Sequence, residues 1–375
     1  MAETAKSMVS GVAHVGADTA WNLEGHLDVY GAPEGADALA VADAARARND
    51  LVVHIARDGA RAAAMVQSLK FFAPDIPVIG YPAWDCLPYD RVSPSPAVTS
   101  KRMASLAAIL KRGEGAFIVV ASINAATQKT PPREVIENAT LALAPGEVME
   151  MDGLTRYLSA NGYARSSTVR EPGEYAVRGG LVDIFPPGAE EPVRLDFFGD
   201  SLETIRSFDA ETQRTTRQLA GFSLAAASEI LLPDETISRF RKSYVATFGP
   251  AGDDPLYEAI SAGRMHAGAE HWLPLFYERM DTLFDFVGDA LVFTDHLSGE
   301  AVAERQAQVA DHYQARAEDI DIKKPKNSDF SAPVYRPLEP SGLYLTEGEW
   351  NEKLANANLR PLSPFAPPDN TRAFH

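Results

Sequence analysis

Cysteine is almost missing from this 375-residue chain, which has one, Cys86. No intrachain disulfide can form, which suits a reducing compartment and excludes the disulfide-stapled secreted folds. Long apolar runs are missing as well. The longest, AFIVVA at 116–121, is far below the roughly 20 residues a membrane helix needs. The opening MAETAKSMVSGVAHVGADTAW carries Glu3 and no apolar centre, so it is not a secretory signal. Positive charge is short too, with 35 Lys and Arg against 52 Asp and Glu and a formal net charge of −17. Grip on nucleic acid depends on Lys and Arg displacing phosphate counterions, so this chain alone is not expected to bind DNA generally. A soluble, cytoplasmic protein without a membrane partner is expected.

What is present is globular. Hydrophobic residues make up 45% and charged residues 23%, enough for real cores, and the length suits two or three domains. Short apolar stretches at 26–30, 51–56, 77–81 and 116–122 alternate with alanine-rich helical stretches at 37–48, 58–72 and 97–111. That order predicts a parallel-sheet α/β domain. One connection differs: YPAWDCLPYDRVSPSP (81–96) is a proline-rich loop, read as a wrap over the sheet. From 174 to 208 four strands joined by Gly and Pro turns predict a small α+β domain with an antiparallel sheet, preceded by a helix capped by Asp152. Helices return at 234–248 and, behind Asp254-Pro255, a second one. ALVFTD (290–295) reads as a strand, 299–317 as a polar helix, and EDIDIKKPKNSD (318–329) as a solvated loop. The end, SPFAPPDNTRAFH, reads as linker cut from something longer.

Chemistry is scarce. A phosphate loop needs G-x-x-x-x-G-K-[ST], with glycines for backbone approach, lysine on the phosphates and a hydroxyl on magnesium. The frame here runs from Gly31 through Glu34 and Gly35 to Ala36, Asp37 and Ala38. Asp37 stands in the lysine's place and Ala38 in the hydroxyl's, while Glu34 adds a second negative charge. Two carboxylates facing a triphosphate argue against ATP binding. No histidine–cysteine cluster has metal-ligand spacing, and no nucleophile has an evident base. Asp183 and Asp196, near Arg178 and Arg194, read as ion-pair members.

The stretch PVRLDFFGDSLETIRSFDAETQRT (192–215) is the most informative. Side chains of a strand alternate between faces. Val193, Leu195 and Phe197 therefore share a core face, and Arg194, Asp196 and Phe198 share the other. Aromatic and arginine side chains on an open face suit a protein–protein contact. Periodicity alone leaves a second reading open, in which Phe198 packs under a flanking helix.

REPGEYAVRGGLVDIFPPGAEEPVRLDFFGDSLETIRSFDAETQRT (170–215) resembles the module shared by UvrB excision-repair proteins and transcription-repair coupling factors. The pattern E-Y-x-x-R-G-G-x-x-D-I-F-P-P, then R-x-D-F-F-G-D, then I-R-x-F-D is long and specific. Residues 81–110, 268–278 and 353–362 are similar to the coupling factors in particular. A UvrB-type damage-binding ATPase, the alternative, would keep its phosphate loop and carry an aromatic hairpin where 84–96 is short. The resemblance implies an α/β fold with a degenerate nucleotide domain at 1–138, a UvrA-binding domain at 139–225, a further α/β part at 226–350 completing the first domain, and a cut linker at 351–375. It implies a non-catalytic module that recruits UvrA, with Arg178, Arg194 and Phe198 as its contacts, covered in the parent by its C-terminal domains. ATP and magnesium, RNA polymerase and DNA would be bound by parts of the parent that this chain lacks.

Overall fold

The computed structural model describes residues 21–321 and 335–367. Strands β1 (Val29–Tyr30), β2 (Leu51–Ala56), β3 (Val78–Tyr81) and β4 (Phe117–Ser122) come first. β5 (Leu141–Leu143) leads into a second unit, built on β6 (Ala164–Arg165), β7 (Glu174–Arg178), β8 (Leu181–Ile184), β9 (Val193–Phe198), β10 (Ser201–Phe208) and β11 (Thr215–Leu219). β12 (Phe222–Leu224) leads out by pairing with β5. β13 (Leu291–Thr294) and β14 (Asn358–Ser363) then return to the first sheet. That sheet has the order β1-β14-β13-β2-β4-β3 with every pair parallel, as the strand–helix alternation predicts.

LVVHIA of β2 is buried throughout, and apolar except for His54, because both of its faces are covered. Leu51, Val53 and Ile55 pack with Met103, Leu106 and Ile109 of helix Pro96–Lys111. Val52 packs on the other side with Val41 and Ala45 of helix Ala36–Arg48 and with Met65 and Leu69 of helix Gly59–Phe72. Each such aliphatic side chain contributes about 1.5–3 kcal/mol by leaving water.

The second sheet has the order β11-β10-β9-β8-β7-β6 and is antiparallel except for its β6–β7 edge. One face packs on helix Met151–Ala160 through Leu154 and Leu158. That helix starts one residue before Asp152, which makes no capping bond; its carboxylate sits in the first turn instead, where the helix dipole favours it. The helix ends at Ala160; two residues on, Gly162 has φ +81° and Ser228 so close that a Cβ would lie 2.3 Å from its Cβ.

A buried ion pair joins the two units. Arg102 Nε donates to Glu229 Oε1 at 3.0 Å, with both side chains fully buried. Trp84 donates its indole N–H to the other oxygen, and Arg102 lies 4.5 Å over the Tyr81 ring. The 81–96 loop therefore does not wrap the sheet edge. It locks onto the 3-10 segment Ala269–Leu275: Ser93 donates to Glu270 at 2.7 Å, and His271 packs against Trp84 and Tyr89. Its aromatics find a buried cluster with Phe240, Trp272 and Phe276 there.

Two expectations change at the end of the chain. Residues 351–363 are not linker: helix Glu347–Asn356 and β14 occupy them, and β14 lies between β1 and β13. Leu359 and Leu362, both buried, hold it there. Helix Ser298–Asp321 runs further than 299–317, and the rest of the acidic-then-basic stretch, 322–329, lies outside the described residues.

Candidate docking face of the antiparallel sheet

The six-stranded antiparallel unit has two unlike faces, and β9 shows why. Val193, Leu195 and Phe197 are buried against the helix, whereas Phe198 is 82% exposed. The alternation read from the sequence is the one observed. Register places the neighbours: Leu181 and Thr204 flank Asp196, Asp183 and Arg206 flank Arg194, and Ser201 lies opposite Phe198. Arg178 pairs with Leu181 at the far side. Directly opposed residues share a face, so Arg178, Arg194 and Phe198 all lie on the one turned away from the helix.

Their surroundings differ. Arg194 donates Nε and Nη2 to the two oxygens of Asp183 at 2.6 and 2.8 Å, and its guanidinium lies 4.6 Å over Phe208. Asp183 is 2% exposed and Phe208 is fully buried. Donating these hydrogen bonds to Asp183 raises the Arg194 pKa further, so the guanidinium stays charged. Arg206 bonds Asp196 at 3.1 Å across a half-exposed pair. Arg178 instead donates to the Ser167 carbonyl at 2.5 Å and to Thr168 Oγ1 at 3.0 Å, pinning the 166–168 loop. Among the described residues no carboxylate pairs with it. Behind Arg178, the Gly179-Gly180 turn is forced: Gly179 has φ +59°, and a Cβ on Gly180 would lie 2.8 Å from the Phe197 carbonyl oxygen.

Val148 was not singled out in the sequence. It is 83% exposed and bridges to Ser201, which in turn pairs with Phe198. Val148, Ser201 and Phe198 thus form a row across the face, with an exposed apolar group at each end. The signal was absent because GEVME (146–150) has no strand periodicity; one isolated bridge places it.

The degenerate phosphate-loop positions sit between β1 and helix Ala36–Arg48, with Gly31 at φ +71° and Gly35 at φ +100°. Asp37 does not face outward as expected. It is 2% exposed and in contact with Arg61 of the next helix, while Glu34 pairs with Arg57 at 2.7 Å. Ala36 and Ala38 bring neither the glycine nor the hydroxyl that phosphate and magnesium binding require.

Residues 141–230 match the family described as UvrB interaction domain. The antiparallel unit is the part of the chain that this family model matches. Its matched range begins at β5 and ends just past β12, so the domain enters and leaves through one two-stranded ribbon. The candidate face lies on this domain. Beyond it the chain is similar to the transcription-repair-coupling factor of Haemophilus influenzae, 33% identical over 323 residues, covering 85% of this chain and 27% of the relative. The corresponding factor of Rickettsia bellii is 35% identical over 289 residues, covering 77% and 25%. That of Escherichia coli is 32% identical over 324 residues, covering 85% and 27%. The chain thus spans about a quarter of the length of the curated relatives it matches.

Proposed function

We propose that this chain is the UvrA-docking region of a transcription-repair coupling factor, and that it brings excision repair to a stalled RNA polymerase. The contact is the open face of the UvrB interaction domain, with Phe198 at its centre, Arg178 and Arg194 beside it, and Val148 extending it. The observation that carries this reading is Phe198. A phenylalanine 82% exposed on an ordered strand, beside arginines, is what a partner pocket takes up. The region itself is non-catalytic, since its phosphate-loop positions carry Asp37 and Ala38. ATP with magnesium, DNA and the polymerase are engaged by other parts of the coupling factor, and its C-terminal domains cover the face until the motor is working.

The test is a calorimetric titration of this chain with UvrA, wild type beside Phe198→Ala. Truncating a central aromatic anchor costs about 2 kcal/mol, or roughly 30-fold in Kd. Unchanged affinity in the folded variant removes Phe198 from the contact. No binding by the wild type removes the proposal.

A further inference from the structure

The turn before helix Ala36–Arg48 stands where a phosphate loop would offer its backbone, and that backbone is already in use. Asp37 Oδ1 accepts the N–H of Gly35 at 2.9 Å and of Ala38 at 2.8 Å. Its other oxygen contacts Nη2 of Arg61, from helix Gly59–Phe72. The Asp37 and Arg61 side chains are 3% and 4% exposed. Among the described residues Arg61 Nε, buried, has no hydrogen-bond partner and lies 3.5 Å from Asp295.

Two backbone N–H groups at a helix start together with a buried guanidinium are a donor set for one anionic oxygen pair. A phosphate loop places its lysine at the position of Asp37, so the cation comes from the loop and the anion from the ligand. Here the polarity is reversed. The loop supplies the anion, and the neighbouring helix supplies the cation.

We propose that this turn is an anion seat whose permanent ligand is the chain's own Asp37. The carboxylate takes the backbone N–H groups that a phosphate oxygen would need, and it neutralises Arg61. The seat is also too acidic at its rim for a triphosphate: Glu34 and Asp295 flank it, held by Arg57 at 2.7 and 3.2 Å, and Asp58 caps the helix that carries Arg61. A single small carboxylate is the species it fits. The inference does not rest on UvrA docking, which lies on the other sheet.

Asp37→Ala removes the carboxylate and leaves room for formate, which is the probe. Melting temperatures are measured for wild type, Asp37→Ala and the Asp37→Ala/Arg61→Gln double variant, in sodium formate and in sodium chloride of equal ionic strength. The expected result is a lower Tm for Asp37→Ala that formate raises saturably above chloride, no formate-specific shift in wild type, and no shift in the double variant. A folded Asp37→Ala protein that does not distinguish formate from chloride overturns the proposal, and so does a shift that survives loss of Arg61. If Asp37→Ala does not fold, Asp37→Asn decides. It keeps an acceptor for both N–H groups and removes only the charge, so a Tm equal to wild type overturns the seat and a clear fall supports it.

Discussion

Arg194 is the residue of the proposed docking face whose substitution does two things at once. Arg194→Ala leaves Asp183 at 2% exposure with its two oxygens stripped of the guanidinium that satisfied them. Removing one partner of a buried pair costs about 3–5 kcal/mol, because the other charge stays behind unsolvated. The Arg194 side chain is 17% exposed, so water reaches part of the vacated space and moves the cost toward the low end of that range. Loss of the stacking over Phe208 adds up to about 1 kcal/mol. The expected total is about 3 kcal/mol of folding stability. It is read by urea denaturation followed by circular dichroism, with the transition slope compared between variants. Arg194→Lys keeps the charge but not the two-pronged geometry, and should fall between. A midpoint for Arg194→Ala within about 0.5 kcal/mol of wild type, the range of an ordinary surface substitution, refutes the reasoning. Weakened UvrA binding by Arg194→Ala is therefore ambiguous taken alone.

Phe198→Ala and Arg178→Ala are the cleaner probes: both side chains are exposed, so each should shift folding stability by less than about 0.5 kcal/mol while lowering UvrA affinity, and a destabilised Phe198→Ala would mean that the ring packs. Val148→Asp should weaken the same titration at unchanged stability, and wild-type affinity for it would confine the contact to the far side of Ser201. Breaking the joint between the units by Arg102→Ala should cost about 3–5 kcal/mol, whereas Arg102→Met with Glu229→Leu should cost less than the two single changes added together; additivity in that cycle would mean that the pair is not coupled. Acid should destabilise the protein through His54 and His271, which burial lowers from 6.5 to about 4. The folded state refuses a proton that the unfolded chain accepts, so stability is full above pH 6.5, declines down to about 4 and then levels, by up to about 3 kcal/mol for His54. Glu270, raised to about 6 by burial, has the opposite sign and offsets part of this loss below pH 6. Among the described residues neither ring nitrogen of His54 has a hydrogen-bond partner, so His54→Leu should flatten the acid limb, and an unchanged limb would exclude His54 as its source.

Features carried by local pattern could be read from the sequence alone. β2 and β4 are apolar runs, broken only by His54 and by the closing Ser122, because both of their faces are covered, and a run of that length needs no knowledge of its neighbours. β9 alternates because one face is covered, and the same rule put Phe198 outside. β14 was hidden by Pro361, which argues against a strand with partners on both sides. It is held by β1 and by β13, about 330 and 70 residues away in the chain, and neither leaves a mark in its own sequence.

The site shows the same division more sharply, since charge is the property a sequence displays most openly and explains least. Asp37 can be seen to be the wrong residue for a phosphate loop. That it is buried depends on Arg61, 24 residues further on and on another helix. Arg194 can be seen to share a face with Phe198. That it is already committed depends on Asp183 one strand over and on Phe208 of the strand on the other side. A charged residue acts according to whether its partner lies inside or outside the chain. On this face Arg178 is tied to backbone and hydroxyl oxygens and, among the described residues, to no carboxylate, so its charge is not neutralised there. Arg178, more than Arg194, should therefore set the salt dependence of UvrA binding. Arg178→Ala should flatten the dependence of Kd on ionic strength and Arg194→Lys should leave it nearly unchanged; the reverse order would mean that the Asp183 pair opens when the partner docks.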